Sequence, residues 1–160
     1  MKYVTADIRR QDRVMDEARA REILATCEYG YLSMIADNGE PYGIPINYVW
    51  DGQDSLYIHC AHEGRKIRAI QMNPCVSFCV VGKVRLLPQQ FSSERESVVL
   101  RGIASIGMND EEKRKALMLL LEKLAPENMS NGLKYISNAL QRVEVIKIVL
   151  SEFSGKCKVI

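Results

Sequence analysis

Two dipeptides, Asn38-Gly39 and Asp51-Gly52, constrain this chain more than any other feature. Both tolerate the positive φ values that tight hairpins require. They separate three runs rich in β-branched and aromatic residues, 29–35, 42–50 and 55–60, which are predicted to pair as an antiparallel meander. Further strands are predicted at 75–81, 98–105, 143–150 and 153–159. Helical spacing occurs at 15–27, where Ala20, Ile23, Leu24 and Cys27 share a face, and again from a cap at Asn109 to the stop at Pro126, with Leu117, Leu120, Leu121 and Leu124 as its stripe. A third helix is predicted at 132–141. Strands in runs, without regularly alternating helices, predict a mainly β fold, an antiparallel barrel or sandwich with added helices, and disfavour a doubly wound nucleotide fold.

With 160 residues, 47% hydrophobic and 26% charged, the chain can bury a core as one domain spanning 1–160, with a helical segment at about 15–27 and a helical insertion at about 110–141. Its 22 basic and 20 acidic residues leave +2, too near neutrality for nucleic acid or an anionic membrane to be the main partner. The longest apolar stretches, such as 116–121, fall far short of the roughly 20 residues that cross a bilayer. Residues 1–10 mix apolar and charged side chains rather than forming a signal core, so a cytoplasmic location is expected. Five cysteines with no CxxC pair read as reduced thiols. No metal site is expected, because neighbours in the His59-Cys60-Ala61-His62 segment point to opposite sides of an extended chain.

The chemistry is concentrated where a strand ends, a turn follows and a helix begins at about 65 and stops before Asn73-Pro74. A helix amino terminus offers unpaired N–H groups and partial positive charge, and Arg65 and Lys66 add two full charges there. Gly64 would let the backbone approach an anion closely, Arg65 could supply a bidentate fork and Lys66 a point charge. A solvated helix face is the competing explanation of the same basic residues. In the preceding strand, alternation places Tyr57 and His59 on one face and Leu56, Ile58 and Cys60 on the other. Along 42–50 the same rule separates Pro45, Asn47 and Val49 from Ile44, Ile46, Tyr48 and Trp50. Pro45, which withholds an N–H, marks either a sheet edge or a ligand wall.

Four fragments occur in order: Tyr42-Gly43-Ile44-Pro45-Ile46-Asn47-Tyr48-Val49, then His59-Cys60-Ala61-x-x-Gly64-x-Lys66, then Ser77-Phe78-x-Val80-Val81-Gly82, then Glu96-Ser97-Val98-Val99-x-x-Gly102-x-Ala104. Together they resemble the FMN-binding proteins of the pyridoxamine 5'-phosphate oxidase superfamily, in particular its nitroimidazole-resistance (Nim-type) branch. The resemblance runs over about 27–150. It implies an FMN-binding split β-barrel of antiparallel Greek-key type, in a homodimer that holds two FMN molecules at the subunit interface. It further implies that His59, Cys60, Ala61, Gly64, Arg65 and Lys66 form the phosphate and ribityl segment. Pro45, Ile46, Asn47 and Tyr48 would run beside the isoalloxazine ring, and Ser97 would reach the flavin of the other subunit. In that last position related oxidases often carry glutamine, which this chain does not.

The chain lacks the basic set and the Arg-rich carboxyl end that pyridoxamine phosphate oxidases use on their substrate, so vitamin B6 oxidation is disfavoured. The resulting expectation is an FMN-dependent reductase that passes electrons to a small flat acceptor such as a nitroimidazole, fed by NADH, NADPH or a partner reductase. The alternative is an FMN- or haem-binding storage or sensor module without turnover. His59 is the polar candidate nearest the reacting end, because imidazole titrates near neutral pH. A hydrogen-bonded structural histidine is the competing role.

Overall fold

The structure is a computed structural model and describes residues 1–159. In chain order its strands are β1 (Lys2–Tyr3), β2 (Tyr29–Ile35), β3 (Pro41–Asn47), β4 (Val49–Trp50), β5 (Ser55–Cys60), β6 (Cys75–Leu87), β7 (Ser92–Ser105) and β8 (Glu144–Lys158). The α-helices are α1 (Glu17–Thr26), α2 (Arg65–Met72), α3 (Asp110–Leu124) and α4 (Met129–Ala139). The sheet runs β3-β2-β6-β7-β8-β5-β4, with every pair on this path antiparallel and β1 added to β8 in parallel.

β3 and β4 stand at opposite ends of that path, yet only Tyr48 separates them in the chain. One extended stretch therefore pairs with β2 through its first half and with β5 through its second, which closes the sheet into a barrel. The meander predicted around the two hairpin turns is present, with Gly39 and Gly52 both at φ +82 and with the middle strand interrupted at Tyr48. The inward residues of the barrel follow a period of two. Leu32 and Met34, Leu56 and Ile58, Phe78 and Val80, Val98 and Leu100, and Ile146 and Ile148 all pack into one buried cluster, closed by α1 and α2. Burying each such side chain stabilises the fold by roughly 1.5–3 kcal/mol.

A second, smaller core lies outside the barrel. Val49 and Val145 face away from the first cluster and are covered by Ala116, Leu117 and Leu120 of α3 and by Ile136 of α4. The leucine stripe predicted between Asn109 and Pro126 is thus a packing face, and the Asn109 side chain caps α3 by accepting the Glu112 N–H at 3.0 Å. Lys123 of the same helix lays its ammonium over the Tyr48 ring, 3.9 Å from the centroid, with no hydrogen-bond partner. Burial lowers its pKa to about 8.

Two expectations are corrected. The strands predicted at 143–150 and 153–159 are one strand, β8. Arg101 pairs with Glu152 while Gly102 pairs with Leu150, so the polar pair Ser151-Glu152 marks a bulge and not a turn. The strands predicted to end at 81 and to begin at 98 continue outward as a hairpin arm, in which Arg85 and Glu94 pair at 2.7 Å. The arm turns through Pro88–Gln90, with Phe91 at φ +46 and almost wholly exposed.

Candidate functional site

The site is built where β5 runs into the turn before α2. On β5, Leu56 and Ile58 are fully buried in the barrel, so the alternation aims His59 outward, against the α3 and α4 layer. The His59 imidazole has its pKa lowered from the ordinary value, first by burial and then by the positive charge of Lys66. It is therefore held as a neutral ring in neutral solution, with one nitrogen to donate and one to accept. Cys60 points the other way and packs against the barrel core. Burial raises its thiol pKa, an effect that Lys66 opposes, so it is no thiolate nucleophile.

Gly64 precedes α2 in the N-cap position at φ +144, and a Cβ built there would meet nothing within 4 Å. Glycine is required by the backbone angle, and the space in front of it is open. The helix carries no side-chain cap and no acidic residue in its first turn, so its first N–H groups retain their partial positive charge. Beside them Lys66 is half-buried, and among the described residues no carboxylate pairs with it. Arg65 lies over the Tyr42 ring at 4.4 Å and 4.0 Å from the exposed Glu40. That ion pair is long and solvated and contributes little, so Arg65 can turn to another anion. Arg68 bonds Asp37 at 3.0 Å, which ties α2 to the turn between β2 and β3. His62 fixes the other side of the loop, with Nε2 3.0 Å from the Gln141 carbonyl oxygen and Nδ1 3.5 Å from Glu144.

The neighbouring strand divides as its pattern predicts. Pro45 and Asn47 are exposed on the outer face, while Ile46 is half-buried against the core. β3 has a single partner, β2, so Pro45 sits on a strand edge where its missing N–H breaks no ladder bond. Tyr48 is fully buried, its hydroxyl donating to the Leu24 carbonyl at 2.7 Å and its ring edge-on to Phe78 at 4.9 Å. Tyr48 therefore presents essentially no surface to a ligand within one chain. Trp50 also packs inward against the barrel core.

Within one chain, then, His59, Cys60, Ala61, Gly64, Arg65 and Lys66 form one continuous strand-turn-helix segment, and Arg65 reaches Tyr42 of β3. Ser97 is not brought to that segment. It lies on the outer face of β7, paired with Val81 and Lys156, beside Arg13 and Arg95. Sequence reasoning missed Glu96, its neighbour, as a clamp: the Arg19 guanidinium donates to it at 2.8 and 2.7 Å, and its carboxylate also accepts the Lys83 N–H at 3.1 Å. The partner is 77 residues away and left no local signal.

Comparison with known proteins adds a family. Residues 16–157 match the family described as pyridoxamine 5'-phosphate oxidase. Among solved structures, one from Bacteroides thetaiotaomicron, of a protein whose proposed role is 5-nitroimidazole antibiotic resistance, is 27% identical. It has a TM-score of 0.77 and the match covers 91% of this chain and 86% of that one. The flavocytochrome Anf3 from Azotobacter vinelandii is similar at 20% identity and a TM-score of 0.77, covering 94% of this chain and 72% of the other. An FAD and haem binding protein from Mycobacterium smegmatis is similar at 20% identity and a TM-score of 0.75, covering 89% and 71%. No curated protein matches in sequence.

Proposed function

Because the chain belongs to the pyridoxamine 5'-phosphate oxidase family, with the split β-barrel fold of its flavin-binding members, we propose that it is an FMN-dependent reductase acting on a small flat acceptor, with a nitroimidazole as the most specific candidate. The observation that carries this is the uncapped amino end of α2. A glycine at positive φ faces open space there, and the unpaired ammonium of Lys66 stands beside it. Those features fit a phosphate monoester, whose oxygens accept several backbone and side-chain donors at once. Arg65 and Lys66 hold the phosphate in this reading, the backbone from Ala61 to Gly64 follows the ribityl chain, and Pro45 and Asn47 present the outer face of β3 toward the ring. When bound, FMN supplies the two-electron chemistry. The protein's own part is position: His59, held as a neutral ring, can donate a hydrogen bond from one ring nitrogen to a polar group of the acceptor.

The reading extends to a homodimer. Pro45, Tyr31, Cys79 and Val99 lie opposite one another across β3, β2, β6 and β7, forming an outward row with little charge. Tyr31 and Val99 on that row are exposed. Ser97 sits two residues from Val99 on the same face, which suits a contact made to the other subunit's flavin. NADH, NADPH or a reductase would supply electrons. No helix among the described residues is long and apolar enough to cross a membrane, and a cytoplasmic site of action remains part of the proposal.

The test begins with the visible spectrum of freshly purified protein, followed by FMN titration. Arg65→Ala combined with Lys66→Ala should weaken FMN binding at least 100-fold, about 3 kcal/mol for two charge-assisted contacts, with unchanged thermal unfolding. Anaerobically reduced holoprotein mixed with a 5-nitroimidazole should then show flavin reoxidation with loss of the nitro absorbance. Unaltered FMN affinity in the folded double variant would remove the phosphate assignment. Reduced flavin left unchanged by the acceptor would favour a storage or sensing role.

A further inference from the structure

The outward-facing His59 is solvent-exposed and stands beside an open cleft. It lines this cleft of about 470 Å³ against α3 and α4, whose walls include Leu120 and Leu124 of α3 and Asn131, Tyr135 and Ile136 of α4. Among the described residues no Asp, Glu, Lys or Arg lines it. Its polar groups are few: the His59 imidazole, the Asn128 and Asn131 amides and the Tyr135 hydroxyl. Leu124 and Tyr135 are exposed, Tyr135 by 69%, so the apolar wall stands in contact with water.

We propose that this cavity between His59 and the α3 and α4 helices is a binding pocket for a neutral aromatic molecule of one or two rings. The size lies within the range of small-molecule sites, about 300–1,000 Å³. An apolar wall wetted in the free protein gains most by covering an equally apolar ligand. The absence of any charged lining selects against ions, since an unpaired charge moved into such surroundings loses its hydration without compensation. A hydrogen bond from His59 or an asparagine amide can orient one carbonyl or nitro group, which fixes which end of the ring meets β5. That the occupant is also the electron acceptor rests on the flavin reading above. The binding itself does not.

A matched pair of probes decides it: menadione, neutral, and 1,4-naphthoquinone-2-sulfonate, of similar ring size but anionic. Equilibrium dialysis against the purified protein, with and without added FMN, should give menadione at least 10-fold tighter binding than the sulfonate. The Leu124→Trp variant, which fills the cavity from its exposed rim, should weaken menadione binding at least 10-fold while leaving FMN affinity unchanged. If that variant does not fold, NMR of the wild type reads the same question: menadione should shift the His59 imidazole and the Tyr135 ring. Equal binding of the two probes, an unchanged menadione affinity in a folded Leu124→Trp protein, or unshifted His59 and Tyr135 signals would each overturn the proposal. Menadione binding in a protein that takes up no FMN would retain the pocket and remove the flavin reading.

Discussion

At the scale of single residues, His59 and Lys66 form the most informative pair in the molecule. Burial is the larger reason that the imidazole pKa falls below its ordinary value, and the Lys66 charge is the smaller. Replacing Lys66 by methionine should raise the His59 pKa while leaving it below that of a free histidine, because burial persists. NMR titration of the imidazole protons checks this, with His59→Gln assigning the two histidines of the chain. A histidine with a depressed folded pKa binds its proton first in the unfolded chain. Stability should therefore fall as pH drops from about 6.5 through the folded value, and Lys66→Met should make that fall smaller. A His59 pKa unmoved by the substitution would break the electrostatic link between the β5 end and α2.

Among the elements, α1 and the base of the hairpin arm depend on each other through Arg19 and Glu96. The bidentate fork is the stronger kind of hydrogen bond, and Glu96 is only 18% exposed. The Arg19 bonds are the main reason its carboxyl pKa lies below the usual value. Such a group contributes stability above the unfolded carboxylate pKa of about 4.5, and that contribution is lost as pH falls through the folded value. Glu96→Gln should therefore cost about 1.5–3 kcal/mol at neutral pH and progressively less in acid. Urea unfolding of both proteins at pH 7 and near pH 3 measures the difference; an equal cost at both would assign the loss to shape rather than charge. The arm beyond this clamp was not legible in the sequence. Its residues Val84, Leu86 and Phe91 are exposed, so no buried face imposed an alternating pattern on the segment.

For the whole molecule, the outward row across β3, β2, β6 and β7 carries the prediction of assembly. Tyr31→Asp together with Val99→Asp should convert a dimer to monomer by analytical ultracentrifugation. Both side chains are substantially exposed, 47% and 40%, so the single-chain melting behaviour should change little. FMN affinity should fall with the dimer, as Ser97 would then lose its place beside the other subunit's site. A wild-type protein that sediments as a monomer at micromolar concentration would leave Ser97 without a role in flavin binding.

What the sequence determined by itself was everything written into local periodicity and turn chemistry. The two glycine turns, the alternation that sends Leu56 and Ile58 inward and His59 outward, the Asn109 cap and the Gly64 start of α2 are all decided by residues within a few positions of one another. Tertiary structure decided what depends on distant partners. It closed the barrel by splitting residues 41–50 between β2 and β5, turned the Tyr48 hydroxyl to Leu24, joined Arg19 to Glu96, and set α3 and α4 beside His59. The physical reason is one of range. Backbone propensity and side-chain alternation act over one or two turns of chain, whereas burial and ion pairing are settled only when segments far apart in sequence share the same space.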